Sequence, residues 1–236
     1  KTDKSGQTTA ETQLSSKAVE TAKKNGEPVK APVEVEATRN SNTAPVVNIE
    51  VPKSAGETKV EIPVTNVKPG TVAVLVHPDG TEEIIKNSVP TEDGIQLTVN
   101  GGATVKIVDN SKDFIDTREH WSRDQVNFVA ARELFQGVGN NHFGVGHPMT
   151  RGMVNTVLAR LAGVDTTSAA GQNWYDKGVA WARENGVSDG SNPNGNVTRE
   201  QLAAMLYRYA GSPAVNGSLS DFSDAASVST YAADAM

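Results

Sequence analysis

An internal repeat in the second half of the chain most constrains how it can fold. A shift of about 53 residues carries Trp121, Val126, Phe128, Leu134 and Gly137 onto Trp174, Val179, Trp181, Val187 and Gly190. A shift of about 48 carries Thr150-Arg151, Leu158, Arg160 and Ala162-Gly163 onto Thr198-Arg199, Leu206, Arg208 and Ala210-Gly211. The shifts differ by about five residues, and the intervening loop is shorter by that amount in the second copy, Gly190 to Thr198 against Gly137 to Thr150. A third copy opens at Leu219, where Phe222 and Asp224 match Phe114 and Asp116. Each copy reads as helix, loop, helix. In the second helices, Val154, Val157, Leu158 and Leu161, then Leu202, Met205, Leu206 and Tyr209, recur at i, i+3, i+4 and i+7, which draws an apolar stripe. Such a unit cannot bury its stripe alone and must stack on its neighbours. The expectation is two helical repeats, over 111–163 and 164–211, and a truncated third over 212–236.

The first half has a different grammar. One helical pattern runs from Leu14 to Gly26, and Gly26 ends it. Strand patterns follow in "VKAPVEVEAT", "PVVNIEVP" and "TKVEIPV", where apolar and polar residues alternate. Asp79-Gly80 lies between two such runs and predicts a hairpin, and Gly101-Gly102 predicts another. Residues 13–110 therefore read as an antiparallel β-rich domain with one helix, a spacer or interaction module, and the polar residues 1–12 read as linker. The fold class expected for the whole chain is α+β multidomain.

Composition narrows the function. A formal net charge of -6 with no basic stripe argues against a nucleic-acid surface. With no cysteine, disulfides, thiolate catalysis and cysteine-based zinc sites are excluded. No apolar run approaches the ~20 residues of a membrane span. His120, His142 and His147 lack carboxylates at metal-ligand spacing. The stretch from Asp189 to Glu200 fails the calcium-loop pattern, with Ser191 and Pro193 at ligand positions. No nucleophile elbow, triad or dinucleotide loop is present, so the chain reads as a non-enzyme that needs no cofactor or metal.

Attention then falls on "NVTREQLAAML". Thr198 is suited to N-cap the helix, Gln201 to close a capping box, and Glu200 to complement the helix dipole. Arg199 opposes that dipole, at a cost of roughly 0.3–1 kcal/mol. The first copy keeps the same choice in Arg151, although its neighbours there are Gly152 and Met153. One reading pairs each Arg with a nearby carboxylate such as Asp189 or Asp116. The other is an anion site, in which free N–H groups of the helix start join the planar Arg fork to hold a carboxylate or phosphate.

At these residues the sequence resembles the S-layer homology domain family. The resemblance rests on Phe114, Asp116, His120-Trp121, the loop "GVGNNHF" and Thr150-Arg151 in the first copy. In the second it rests on Trp174, "NGVSDG" and Thr198-Arg199-Glu200-Gln201. The β-rich half is similar to segments that precede such repeats in surface proteins of gut Firmicutes. The resemblance implies a pseudo-threefold helical bundle whose grooves bind secondary cell-wall polysaccharide, often through the carboxylate of a pyruvylated sugar. It implies that Arg151 and Arg199 are the principal ligand residues. Trp121 and Trp174 either offer a wall to a sugar face or belong to the core. Asp116 and Asp224 either accept sugar hydroxyls or cap the following helix. The expected partners are cell-wall polysaccharide and other surface proteins, and the expected location is the extracellular face of a Gram-positive-type wall. The chain reads as a piece of a longer surface protein that continues past Met236. In the alternative readings, the β-rich half is itself a carbohydrate or protein binder, or the chain is the non-catalytic part of a larger enzyme.

Overall fold

The computed structural model describes residues 1–236. The chain is α+β and divides into two compact units, Lys1–Val145 and Gly146–Met236. The first unit is built on nine strands: β1 (Thr9–Gln13), β2 (Val29–Lys30), β3 (Val46–Glu50), β4 (Glu57–Pro63), β5 (Thr71–Val76), β6 (Glu82–Ile84), β7 (Val89–Pro90), β8 (Gly94–Asn100) and β9 (Ala103–Asp109). One sheet has the order β1-β3-β9-β5-β6 and the other β2-β4-β8-β7. Val47, Ile49, Val105 and Ile107 of the first sheet and Val60, Ile62, Ile95 and Leu97 of the second share one buried core. Helix α1 (Ser16–Asn25) adds Val19 to it. Its caps are the expected ones: Ser15 Oγ accepts from the Ala18 amide, and Gly26 takes the left-handed conformation.

Three expectations for the β-rich half need correction. The sheets are mixed rather than antiparallel, because β1 pairs in parallel with β3 and β2 with β4. Parallel neighbours need a long crossover: α1, β2 and the segment up to Ala44 connect β1 to β3, and the connection from β2 to β4 runs through β3. Strand β1 lies mostly in the stretch that reads as linker; its polar side chains hid a backbone that bonds in register from Thr9↔Val46 to Gln13↔Glu50. Finally, Gly101-Gly102 makes no hairpin. Strand β8 pairs with β4 and β7, β9 pairs with β3 and β5, and the chain changes sheets between them. Leu97 and Val99 before the glycines and Val105 and Ile107 after them all face the common core, so crossing buries both sets whereas a hairpin would place both strands in one layer. The Asp79-Gly80 hairpin between β5 and β6 does form.

Helix α2 (Arg123–Ala131), the first helix of the first copy, also belongs to this unit. Strand β5 is buried on both faces: Ala73 points to the inter-sheet core, while Val72 and Val74 join Val108, Ala44 and Ala131 in a second cluster under α2. The helix is locked there by Arg132, which is fully buried at 0% exposure. Its Nε donates to the Ser88 carbonyl, Nη1 to those of Pro69 and Phe128, and Nη2 to that of Thr71, at 2.9–3.1 Å. Its guanidinium carbon stacks 3.9 Å from the Phe128 ring centroid. Burial pushes the Arg132 group down to about 10, so it stays charged at neutral pH.

The second unit holds α3 (Arg151–Leu161), α4 (Asp176–Glu184) and α5 (Arg199–Tyr209), then short 3-10 turns at Leu219–Asp221, Ala225–Ser227 and Thr230–Ala232. Val154, Leu158, Ala182, Val187 and Met205 form its core. Helices α3 and α4 meet at Gly178, where a Cβ would lie 2.7 Å from the Thr156 Cα. Leu206 departs from the expected stripe: it is 47% exposed, while Ala204 and Met205 are buried. The C-terminal segment crosses α5 near Glu200, where Ser229 and Tyr231 bond its carboxylate, and leaves Leu206 uncovered.

Arg132→Met removes four donors from buried carbonyls at once. We expect it to destabilise the chain by about 3 kcal/mol or more, read as a lower urea midpoint, with Arg132→Lys recovering only part. A midpoint unchanged in Arg132→Met would contradict the locking role.

Candidate functional site

The two Thr-Arg steps begin α3 and α5 and are built alike. Thr150 Oγ1 accepts from the Met153 amide at 3.2 Å, and Thr198 Oγ1 accepts from the Gln201 amide at 3.2 Å. The reciprocal bonds run from the Thr198 amide to Gln201 Oε1, and in the first copy from the Thr150 amide to the Met153 thioether. Met153 thus takes the place of the missing acid in the capping box. The segments before the two helices lie antiparallel, with a bridge between Thr150 and Asn196 and a bond from the Val197 amide to the Met149 carbonyl.

This pairing changes the start of α3. The Arg151 amide donates to the Gly195 carbonyl at 2.9 Å and the Gly152 amide to that of Pro193 at 2.8 Å. With Met153 capped, these N–H groups have no capacity left for an anion. The receptor expected from free helix-start amides is therefore not formed at α3. The close loop also explains why glycine stands at 152: a Cβ there would sit 2.9 Å from the Pro193 oxygen and 3.2 Å from the Tyr175 Cβ.

The Arg151 side chain remains as the candidate group at the start of α3. Its Nη2 donates to Asp189 Oδ1 at 2.9 Å, while its Nε is buried without an acceptor. Asp189 in turn accepts from the Ser191 amide and hydroxyl. Those bonds and then the Arg151 charge hold its carboxyl below the usual range, against a smaller upward push from burial. Arg151 lines a cavity of about 290 Å³. Opposite it, α5 presents Gln201, Ala204, Met205 and Arg208, which are i, i+3, i+4 and i+7 on one face. Ser188 and Asp189 enter from the loop after α4, and Tyr231 from the C-terminal segment.

The other predicted site residues do not converge here. Arg199 is exposed at the start of α5, outside the cavity lining and in no ion pair. Trp174 is 46% exposed and stacks edge-on with Tyr175. Trp121, in the first unit, is 83% exposed beside His120, so neither tryptophan is a core residue. Asp224 is exposed. Asp116 is half-buried and does not cap α2; its carboxylate accepts from the amides of Phe143, Gly144 and Val145 at 2.8–3.1 Å. That bond set fixes the loop after α2 over the Phe114, Phe135 and Phe143 rings. Ser188, Arg208 and Tyr231 were not singled out as site residues from sequence. The i, i+3, i+4, i+7 set ending at Arg208 was the available signal, masked by the more apolar stripe through Leu202 and Leu206.

Part of the chain has recognisable relatives among known proteins. Residues 113–152 match the S-layer homology domain. The match starts before α2 and ends in the first turn of α3, taking in Asp116, Trp121 and Thr150-Arg151. S-layer homology domains are non-catalytic modules that anchor surface proteins to the cell wall through its polysaccharide. The chain is 28% identical over 142 residues to an endoglucanase of Bacillus sp. (strain KSM-635), covering 54% of this chain and 15% of that protein. It is 25% identical over 108 residues to an amylopullulanase of Thermoanaerobacterium thermosulfurigenes, covering 41% and 6%. It is 22% identical over 113 residues to the exoglucanase XynX of Acetivibrio thermocellus, covering 43% and 10%. The chain thus spans only a small part of the length of these relatives. No helix is long and apolar enough to cross a membrane.

Asp116 gives this region an acid limit. Burial pushes its carboxyl up, but the three amide bonds outweigh that and hold it at about 2, against an ordinary 3.8. A carboxyl whose pKa is depressed by folding contributes stability that is complete above the unfolded value and lost as pH falls through the folded one. The amides of residues 143–145 should therefore keep their protection from hydrogen exchange down to about pH 4 and lose it towards pH 2. In Asp116→Asn, protection should be low at every pH. Equal protection in the variant would refute the assignment.

Proposed function

We propose that this chain is the anchoring part of a larger cell-surface protein, held non-covalently to the wall by anionic, pyruvylated secondary cell-wall polysaccharide. The observation that carries the reading is Arg151. It lies within the S-layer homology match, faces a cavity with a buried donor unused, and is held in place by Asp189. A guanidinium fixed in this way can present its fork to a carboxylate without first being ordered. Arg199 is the second proposed contact; exposed and in no ion pair, it is free to meet an anionic sugar. The exposed rings of Trp121 and Trp174 offer flat apolar faces for sugar rings, and Asp224 an acceptor for hydroxyls. Asp116 acts by shaping its loop. Residues 13–110 would serve as spacer or interaction module. Names of the relatives, an endoglucanase and an amylopullulanase among them, favour a surface hydrolase as the whole protein, with this chain as its non-catalytic part.

Sedimentation of the full chain with purified cell walls tests the reading. Arg151→Ala should weaken binding by at least about tenfold, as loss of a charged hydrogen-bonding group does, Arg199→Ala by less, and the double variant by most. Walls stripped of ketal-linked pyruvate by mild acid should retain little wild-type chain. If Arg151→Ala sediments like the wild type, Arg151 serves only its ion pair with Asp189, and the variant should then differ only in melting temperature.

A further inference from the structure

We propose that Arg208 is a second ligand for the anion, so that Arg151 and Arg208 clamp one charged terminal group between α3 and α5. The inference rests on the wall-binding reading and adds to it a residue outside the Thr-Arg motif. Arg151 and Arg208 line the same cavity of about 290 Å³. Arg208 is half-buried, and its hydrogen bond to protein is a long one, from Nη1 to the Val187 carbonyl at 3.3 Å. Arg151 commits Nη2 to Asp189 and leaves Nε without an acceptor. A guanidinium carries five N–H donors, so the two together hold a surplus of donors facing one small space.

Charge points the same way. The lining holds two cations and one carboxylate, Asp189, a formal balance of +1. The remaining polar groups, Ser188, Gln201 and the Tyr231 hydroxyl, are neutral, and Tyr231 already donates to Glu200 Oε1 behind it. Two cations sharing a cavity repel each other, and an anion with several acceptor oxygens relieves both the repulsion and the unmet donors. The volume is small for a polymer segment and suits one terminal group. Repetition of sequence alone does not explain the placement of Arg208. Its counterpart Arg160 turns its Nε to Thr166 Oγ1, at 2.9 Å. Arg208 therefore reads an anion presented at the end of a sugar chain, a carboxylate or a phosphate.

Calorimetric titration of the full chain with three synthetic methyl glycosides tests this: one bearing a 4,6-pyruvate ketal, its carboxylate methyl ester, and a sugar phosphate. The wild type should bind at least one anionic glycoside about tenfold or more tightly than the ester, and the stronger of the two identifies the source of the charge. Arg208→Gln should bring that ligand to the level of the ester, while Arg208→Lys, which keeps the charge but not the fork, should fall between. Unchanged melting of both variants separates binding from folding; if Arg208→Gln melts early, Arg208→Lys carries the comparison. Wild-type affinity in Arg208→Gln overturns the clamp and leaves wall anchoring intact. A wild type that binds walls but treats acid, phosphate and ester alike overturns the clamp as well. A wild type that binds neither walls nor any glycoside overturns the anchoring reading with it.

Discussion

The second unit depends on a short backbone contact, in which the Gly195 and Pro193 carbonyls accept from the first two amides of α3. A helix start left without acceptors would have to find water or a ligand. Here the loop between α4 and α5 fills the role. That docking requires glycine at 152, sets Met149 beside Val197, and brings Asp189 within reach of the Arg151 side chain. The cation that opposes the dipole of its own helix is thus offset by the Asp189 carboxylate from the loop after α4. The cavity forms because the same contact brings the face of α5 that carries Gln201 and Arg208 opposite Arg151.

The two Thr-Arg steps show how near-identical sequence leads to different electrostatics. Both have a capping box, and both place arginine directly after threonine. Arg151 is enclosed, paired and directed into a cavity, while Arg199 stands in solvent at the edge of its helix. The difference lies in what covers each helix start. A loop covers α3, whereas at α5 the C-terminal segment binds Glu200 and leaves Arg199 in solvent. A motif therefore fixes the local cap, and the neighbouring segment decides the environment of its arginine.

Much of this was legible in the sequence, wherever the governing chemistry is local. The Ser15 and Gly26 caps, the Asp79-Gly80 hairpin and the Thr198–Gln201 box each depend on a few consecutive residues. The ordered series Trp, glycine loop and Thr-Arg pointed to the matched domain because spacing is itself a local property. What stayed hidden depends on partners distant in sequence. Gly101-Gly102 has hairpin chemistry, and only the shared core of β8 and β9 decides that the chain changes sheets. Polar composition concealed β1, whose pairing uses backbone groups every residue has. Arg132 looked like any helix-end cation, although its acceptors come from residues 69, 71, 88 and 128. Arg208 was outcompeted by a stripe that the folded helix turns partly outward at Leu206.

The register of β1 has a mechanical corollary. Thr9, at the start of β1, sits beside Val46, which faces Lys106 in the middle of β9, and β9 runs on from there to Asp109, so the chain enters and leaves the first sheet at the same end. Tension between the N-terminus and the helical repeats would load the β1–β3 hydrogen bonds one after another, from Thr9 towards Gln13, instead of all together. Such a strand peels at low force and gives up its length gradually. Pulled from its N-terminus, the β-rich unit would yield first at that edge strand and keep the rest of the sheet paired.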